Sequence, residues 1–221
     1  MQNEYWHHRW KKNEIEFDQK EPNVHLIKYI NILNLKPHST LFVPLCGKSI
    51  DMLWLSKQQY KIIGNELDYS ASCAFFEENQ FLFKENNTPH FKVLSTHNIT
   101  ILSGDFFRLN KEILGSIDAI YDRAALIALP LEMRKEYAKK IIDLSNPGNQ
   151  MFLITGSYDQ NIMKGPPFSV DEMEVNSLYS KYFHIEEIYT KITEEVPAHL
   201  QAKGLKETKE HVFHLTRMDN L

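Results

Sequence analysis

Residues 41–55 read LFVPLCGKSIDMLWL, an apolar run followed by a short turn and then by apolar residues at helical spacing. The first run predicts a buried strand, and the spacing in the second half predicts a helix. A strand, a loop that contains glycine and a helix form the unit with which α/β proteins hold nucleotides. The turn at residues 46–49 is therefore a candidate ligand loop.

This loop departs from the familiar phosphate-binding motifs. GKS at residues 47–49 resembles the end of a P-loop, but that motif needs another glycine five positions before Gly47, where this chain has Phe42. The GxGxxG fingerprint of dinucleotide-binding proteins also fails, because the three residues before Gly47 are Pro, Leu and Cys. A kinase, an ATPase and an NAD-dependent dehydrogenase are therefore disfavoured.

Glu66 keeps one part of the dinucleotide-binding pattern. It lies in the second predicted strand, KIIGNEL, 19 residues after Gly47. An acidic residue at this place accepts hydrogen bonds from ribose hydroxyls, although spacing alone also allows a role at a helix N-terminus. A ribose anchor without a phosphate cradle indicates a nucleoside that carries no phosphate. S-adenosylmethionine fits that description, and Leu45 to Gly47 would approach its methionine end.

Strands and helices alternate along most of the chain. The predicted strands are TLFVPL, KIIGNEL, NITILSGDFF, IDAIYDRAAL, QMFLITGSYD, FHIEEIYTKI and EHVFHLTRM. Ser70 is expected to open the helix SASCAFFEEN, Pro130 the helix LEMRKEYAKKIIDL, and Asp171 with Glu174 a third helix. Residues 84–97 are polar and read as a connection. This order predicts an α/β fold with a doubly wound, mostly parallel seven-stranded sheet and one antiparallel strand near the C-terminus.

The composition limits the partners and the location. A net charge of -4 argues against nucleic acid as a partner, because binding phosphates needs a concentrated positive face. No apolar run reaches the roughly 18 residues that a membrane span requires. Cys46 and Cys73 are too few for a disulfide framework and fit a reducing compartment. We expect a cytoplasmic monomer with one domain, residues 1–221, that binds neither nucleic acid nor a membrane.

The histidines and cysteines do not form a recognisable metal or nucleophile cluster. His211 and His214 would face opposite sides of one strand, so no metal site is predicted. Cys46 is interpreted as a small buried thiol, since no His and Asp pattern near it would activate a nucleophile.

Two further pairs of candidate residues lie at strand ends. Asp105 with Phe106 follows the third predicted strand, and Asp122 with Arg123 ends the fourth. The alternatives that involve no ligand are a turn carboxylate for Asp105 and a local ion pair for Asp122 with Arg123. An arginine at the end of a central strand is costly unless it meets an anion, and the carboxylate of a bound methionine moiety is one such anion.

Six motifs spread over the chain resemble the thiopurine S-methyltransferase family of class I S-adenosylmethionine-dependent methyltransferases. They are W-x3-W followed by I-x-F, then PLCGKS-x-DM-x-WL, G-x-EL with FF-x-E, GDFF-x-L, YDRAALIALP-x-EMR-x-x-YA, and SYD followed by GPPFSV. The combination of PLCGK with DRAAL is highly specific. The resemblance implies a Rossmann-like methyltransferase fold.

The resemblance also implies roles for individual residues. The cofactor-binding positions of the family, with the loop glycine added, are Trp6, Trp10, Leu45, Gly47, Glu66, Asp105, Phe106 and Arg123. Phe17 matches a position of the acceptor pocket, and Arg123 would also meet an anionic acceptor. Residues 1–21 would cover the bound cofactor. Glu16 and Asp18 depart from the family pattern, in which glycine and histidine are usual.

The implied activity is methyl transfer from S-adenosylmethionine to the sulfur of small aromatic or heterocyclic thiols such as thiopurines. The alternative is a small-molecule methyltransferase that acts on selenium or tellurium oxyanions, halide or thiocyanate. No residue is assigned as a general base, because aromatic thiols lose their proton far more readily than alkyl thiols. The catalytic residues thus stay unassigned, while the expected partner is a small-molecule thiol.

Overall fold

A computed structural model describes residues 3–219 of the protein. The chain divides into two compact units, Met1–Tyr121 and Asp122–Leu221. Residues 1, 2, 220 and 221 lie outside the described range. The first two belong to both the predicted domain 1–221 and the predicted cover 1–21, and the last two belong to the predicted domain alone.

Within residues 3–219 the helices are α1 Asn3–Lys11, α2 Val24–Tyr29, α3 Ile50–Lys57, α4 Tyr69–Glu78, α5 Lys111–Leu114, α6 Leu131–Leu144, α7 Glu172–Tyr179 and α8 Ala198–Gln201. The strands are β1 Thr40–Val43, β2 Lys61–Glu66, β3 Lys84–Asn87, β4 Lys92–Ser95, β5 Ile99–Ser103, β6 Ala119–Arg123, β7 Gln150–Ser157, β8 Phe183–Thr193 and β9 Thr208–Arg217. Short 3-10 helices occupy Ile30–Leu33, Phe106–Arg108 and Leu126–Ala128. No helix in this part of the chain is long and apolar enough to cross a membrane.

The first unit contains a parallel centre with an antiparallel edge. Its strand order is β3-β4-β5-β2-β1-β6. β1 runs parallel to β2 and β6, and β2 runs parallel to β5, whereas β4 is antiparallel to both β3 and β5. Leu41, Phe42 and Val43 of β1 are all buried, as expected for a strand covered on both faces. The carboxyl ends of β1, β2 and β5 consequently lie side by side.

The second unit contains the predicted antiparallel strand. Its order is β7-β9-β8, and β9 is antiparallel to both neighbours. The short helix α8 lies in the connection between β8 and β9, where no helix was predicted from the sequence.

Two strands were not foreseen from the sequence. Residues 84–97, interpreted as a polar connection, contain the hairpin β3–β4, which raises the number of strands in the described residues from seven to nine. All four residues of β3 are exposed. A strand that buries no face lacks the apolar alternation by which strands are recognised in a sequence.

The helix caps agree with the sequence at two helices and differ at a third. Pro130 precedes α6, and Asp171 caps α7 by accepting a hydrogen bond from the Glu174 amide at 2.9 Å. α4, however, is capped by Asp68 and not by Ser70. The Asp68 carboxylate accepts hydrogen bonds from the amide of Ser70, at 2.9 Å, and from the amide of Ala71, at 3.2 Å. An aspartate has the stronger acceptor, so the helix begins two residues earlier.

A buried aspartate fixes the helix that follows the candidate ligand loop. Asp51, in the first turn of α3, is fully buried. Its carboxylate accepts a hydrogen bond from the Asn23 amide at 2.8 Å and another from the Tyr121 hydroxyl at 2.9 Å. A buried carboxylate is tolerated only with such partners. Asp51 therefore ties α3 to the start of α2 and to β6.

We expect Gly64→Ala to destabilise the protein by about 1–3 kcal/mol, because it overpacks the core beneath the ligand loop. A Cβ at Gly64 would lie 2.8 Å from the Cys46 sulfur and 3.0 Å from the Met52 sulfur. The matched control is Gly156→Ala in β7, where the nearest atom to a new Cβ is the Lys209 carbonyl oxygen at 3.9 Å. Urea denaturation measures both variants, and an equal loss in the two would contradict the packing argument.

Candidate functional site

The loop after β1 has a constrained backbone. Leu45 has φ +46° and Gly47 has φ +54°, both in the left-handed region. This conformation is strained for leucine and strain of this kind is concentrated at functional sites. The Cys46 amide donates to the Asn65 carbonyl at 2.8 Å, which anchors the loop to the end of β2. The loop at Leu45 to Gly47, where a close approach of the main chain to a ligand is predicted, thus has a backbone conformation that a hydrogen bond to β2 holds in place.

Glu66 joins the loop after β1 to the loop after β2. One carboxylate oxygen accepts a hydrogen bond from the Gly47 amide at 2.8 Å, and the other accepts one from the Asp68 amide at 2.8 Å. The Glu66 residue is only 6% exposed, and burial raises the pKa of this carboxyl group from 4.5 to about 7, although the two amide bonds partly oppose the shift. The Leu67 amide is a third backbone donor to this carboxylate, which has about four acceptor sites in all.

The predicted cover packs on the ligand loop. Trp10 of α1 lies over Gly47, such that a Cβ there would be 3.2 Å from the indole. Phe17 packs edge to face against Trp10, with ring centroids 5.5 Å apart, and against Trp6, with centroids 5.9 Å apart. The first unit therefore brings Trp6, Trp10 and Phe17 together with the loop that Glu66 holds.

A hydrogen bond that the sequence did not reveal also fastens α1. The His7 ring nitrogen Nδ1 lies 2.6 Å from the Asp68 carboxylate. Burial opposes ionisation of Asp68, but hydrogen bonds from Ser70, His7 and the Ala71 amide outweigh it and lower the pKa of this carboxyl. Asp68 thus caps α4 and holds α1 at the same time. In the sequence, the signal for this cap was the aspartate two residues before Ser70.

The two residues that depart from the family pattern both form ion pairs. Glu16 pairs with Arg9 at 2.6 Å, and Asp18 pairs with Lys48 of the ligand loop at 3.3 Å. Lys48 also contacts Glu78 at 2.6 Å. Burial disfavours the charged lysine, but the hydrogen bonds to Glu78 and Asp18 raise its pKa overall. Asp18 therefore attaches the end of the cover to the loop.

Asp105 and Phe106 follow β5 in the same unit. The Gly104 amide donates to the Glu66 carbonyl at 2.8 Å, so this turn starts beside the end of β2. The Asp105 carboxylate accepts from the Phe107 amide at 2.9 Å, in keeping with the turn role that the sequence left open. The Phe106 ring is 2% exposed and stacks on Phe42, so a ligand would meet its main chain.

Arg123 belongs to the second unit, at the end of β6, and is half-buried. The residue before it, Asp122, is fully buried. Its carboxylate accepts hydrogen bonds from the Tyr137 hydroxyl at 2.6 Å and from the Leu126 amide at 3.3 Å. Burial raises the pKa of Asp122 to about 6, and the Tyr137 hydrogen bond limits the rise. Ala124 then turns the chain with φ +64°.

The GPPFSV segment, residues 165–170, is held firmly within the second unit. The Tyr158 hydroxyl donates to the Pro167 carbonyl at 2.5 Å, and the Phe168 amide donates to the Ile127 carbonyl at 2.7 Å. The Tyr158 amide donates to the Ser169 hydroxyl at 2.9 Å. These bonds attach the segment to the residue that follows β7 and to the 3-10 helix Leu126–Ala128.

The remaining histidines and cysteines also have defined places. Cys46 is buried, and burial followed by the charge of Glu66 raises the pKa of its thiol well above the usual value, in agreement with an inert core thiol. His211 bonds to Ser157 and His214 to Gln150, which places the two rings on opposite sides of the strand, as predicted. Residues 3–219 contain no group of three or more side chains suited to a metal ion.

We expect Glu66 to give the protein a distinct pH dependence of stability. Because its pKa is higher in the folded chain, the folded state binds more protons than the unfolded state between pH 4.5 and 7. The free energy of unfolding should therefore fall as the pH rises through this window, by on the order of 3 kcal/mol, and level off above it. Urea denaturation from pH 4.5 to 8 measures this slope.

Glu66→Gln should remove that slope, whereas Glu112→Gln, at an exposed position of α5, should keep it. Asp122 adds a slope of the same sign between pH 3.8 and about 6 in all three proteins, so the difference between the curves isolates Glu66. Identical pH profiles for Glu66→Gln and the unmodified protein would refute the assignment.

Comparison with known proteins agrees with the family resemblance that the sequence motifs indicate. The sequence model of the family described as thiopurine S-methyltransferase matches residues 1–218. A thiopurine S-methyltransferase of Psychrobacter cryohalolentis is 39% identical over 224 residues, which cover 98% of this chain and 100% of the relative. Another, from Nitrosospira multiformis, is 40% identical over 215 residues, which cover 96% of this chain and 97% of the relative.

A solved structure supports the fold. An S-adenosylmethionine-dependent methyltransferase from Anabaena variabilis superposes with a TM-score of 0.68 at 14% identity, over 97% of this chain and 94% of that one. This similarity confirms the predicted Rossmann-like α/β fold. The family match and the curated relatives establish the rest: the chain belongs to the thiopurine S-methyltransferase family, and hence to the methyltransferases.

Proposed function

We propose that this protein transfers a methyl group from S-adenosylmethionine to the sulfur of small aromatic or heterocyclic thiols such as thiopurines. Family membership supports the class of reaction. The observation that carries the proposal is the buried Glu66 carboxylate, which holds the single-glycine loop at Gly47 beneath Trp10. This arrangement suits a nucleoside with free ribose hydroxyls and offers no cradle for phosphates.

The residues of the first unit fit such a nucleoside. The acceptor capacity that the amides of Gly47, Asp68 and Leu67 leave on the Glu66 carboxylate suits a ribose hydroxyl. Leu45 and Gly47, with their left-handed backbone, bring main-chain atoms to the methionine end. Asp105 and the main chain of Phe106 would bind the adenine side.

The cover supplies an aromatic and largely apolar wall. Trp6, Trp10 and Phe17 form it, and a π-face beside a sulfonium is favourable. When bound, S-adenosylmethionine supplies an electrophilic methyl group for in-line displacement by a thiolate. Opposite charges cancel in the transition state, so a site from which these residues exclude water favours the reaction. Phe17 would contact the acceptor directly.

Arg123 is proposed to bind an anion, either the methionine carboxylate or an anionic acceptor. It ends a strand, is half-buried, and follows an aspartate whose carboxylate accepts hydrogen bonds from Tyr137 and Leu126. A guanidinium binds a carboxylate with two parallel hydrogen bonds. The GPPFSV segment is proposed to shape the acceptor pocket.

The alternative acceptors are selenium and tellurium oxyanions, halide and thiocyanate. The names of the two curated relatives refer to thiopurines and so favour the thiol. The further proposal is a cytoplasmic monomer with a small-molecule partner and no nucleic acid. The free thiols of Cys46 and Cys73 and the net charge of -4 support that setting.

Binding and turnover test the proposal together. Calorimetry should detect binding of S-adenosylmethionine and of its demethylated product, and the purified protein should methylate thiophenol and 6-mercaptopurine faster than selenite. Because the cofactor and acceptor assignments are independent, a protein that binds both nucleosides but methylates only selenite would retain the cofactor and lose the thiol assignment. Failure to bind either nucleoside would overturn the whole proposal.

We expect Arg123→Ala to weaken cofactor binding or the apparent affinity for an anionic thiol by about 10- to 100-fold, as loss of a charge-assisted hydrogen bond predicts. Calorimetry and steady-state kinetics separate these two effects. The control is Arg108→Ala, which removes an exposed arginine beside His90 and should change neither. Unaltered affinity and turnover in Arg123→Ala would exclude a role for this residue.

A further inference from the structure

Three polar side chains form a hydrogen-bonded chain in the second unit that the proposed function does not use. The Ser157 hydroxyl oxygen lies 2.8 Å from Nε2 of His211, and Nδ1 of His211 lies 2.5 Å from a carboxylate oxygen of Glu187. The three residues come from β7, β9 and β8, respectively. The antiparallel pairing of these strands therefore builds the chain.

The order of the partners fixes the direction in which a proton can move. An ionised carboxylate only accepts hydrogen bonds, so in a neutral His211 the Glu187 contact places the single ring proton on Nδ1. Nε2 is then an acceptor, and the Ser157 hydroxyl must donate to it. The arrangement is that of a serine whose proton a histidine can take while an acid stabilises the resulting imidazolium.

Burial isolates the middle of the chain and leaves one end accessible. His211 is 1% exposed, whereas Ser157 is half-buried at the end of β7. Thr155, which pairs directly with His211, has a buried hydroxyl without a partner in the described residues. The His211 ring thus bonds to the more accessible Ser157 hydroxyl and not to the hydroxyl of Thr155, its partner in the strand register.

Ser157 also lies beside the segment proposed to shape the acceptor pocket. The next residue, Tyr158, donates its amide to the Ser169 hydroxyl at 2.9 Å, and the preceding residue, Gly156, accepts from the Val170 amide at 2.9 Å. GPPFSV and the end of β7 are therefore joined on both sides of Ser157. A small molecule bound against GPPFSV would be within reach of the serine hydroxyl.

We propose that Ser157, His211 and Glu187 act as a proton relay that deprotonates the acceptor thiol. This inference rests on the proposed function and deepens it, because a relay extends the substrates from acidic aromatic thiols to thiols that are neutral at the ambient pH. Ser157 is the group that touches the substrate. His211 and Glu187 are positioning residues that act through it.

The proton step balances without any further reactant. The thiol proton passes to the Ser157 oxygen as the Ser157 hydroxyl proton passes to Nε2 of His211, which leaves a thiolate and an imidazolium paired with Glu187. The thiolate would form the new carbon–sulfur bond as the methyl–sulfonium bond of the cofactor breaks, with that electron pair staying on the departing sulfur of the demethylated nucleoside. The imidazolium would return its proton through Ser157 to water after the thioether leaves. Within the described strands, the charged residues that contact or register place on the same face as His211 are Glu187 on β8 and Lys209 on β9. Its partner on β7 is the uncharged Thr155.

The test is a series of acceptors that differ in acidity: 4-nitrothiophenol, thiophenol and benzyl mercaptan. His211→Gln should lower kcat/KM about 100-fold for benzyl mercaptan, in the range of general-base catalysis, and by less than about 3-fold for 4-nitrothiophenol, which is already ionised. Glu187→Gln and Ser157→Ala should show the same graded pattern. Raising the pH should restore the variants selectively with benzyl mercaptan.

His214→Gln is the matched control, because His214 lies on the same strand and pairs with Glu186 at 3.5 Å on the other side of the sheet. It should retain the reactivity of the unmodified protein with all three thiols, and thermal unfolding verifies that each variant is folded. Equal losses for all acceptors, or no loss with benzyl mercaptan, would overturn the relay while thiol methylation stands. Absence of methylation of every thiol by the unmodified protein would instead overturn the proposed function and the relay with it.

Discussion

The candidate site in the first unit depends on one buried carboxylate. Glu66 receives an amide hydrogen bond from each of two loops, at Gly47 and at Asp68, and thereby fixes both loops relative to β2. Gly47 then supports Trp10, while Asp68 caps α4 and bonds to His7. Since burying a carboxylate is costly, the site is stable only while both amides remain in place. Cover, loop and helix are consequently coupled through a single side chain.

The two acidic residues at positions 16 and 18 change how the cover is attached, not whether it is attached. Glu16 closes an ion pair with Arg9 inside the cover, and Asp18 reaches Lys48 in the loop. Partly exposed pairs of this kind contribute little individually and weaken as salt rises. The aromatic contacts of Phe17 are insensitive to salt. The cover is therefore held both by ion pairs, which salt weakens, and by aromatic contacts, which salt does not weaken.

The sequence was sufficient where local chemistry determines structure. The apolar runs of β1 and β2, the proline before α6 and the aspartate before α7 each act within a few residues, so their consequences were predictable. The strand β3 is exposed along its whole length and left no apolar pattern, and of its partner β4 only Leu94 is buried. In the candidate site, the proximity of Glu66 to Gly47 was predictable because a known motif spaces them, whereas their role in binding stays a prediction.

The chain of Ser157, His211 and Glu187 could not be found in the same way. Its members are 24 and 54 residues apart, and only the register of three antiparallel strands brings them together. A register shift between Glu187 and Tyr189 sets where the acid points. A bulge of this kind redirects a side chain and has no reliable signature in a single sequence.

The strand order of the second unit also bears on how the protein is made. β9 lies between β7 and β8 but is synthesised after both. Among the described strands β8 neighbours β9 alone, so its eleven residues leave the ribosome before their backbone partner exists. An unpaired strand edge invites association with other nascent chains. Charged side chains along β8, among them Glu186 and Lys191, oppose such association while the strand is unpaired.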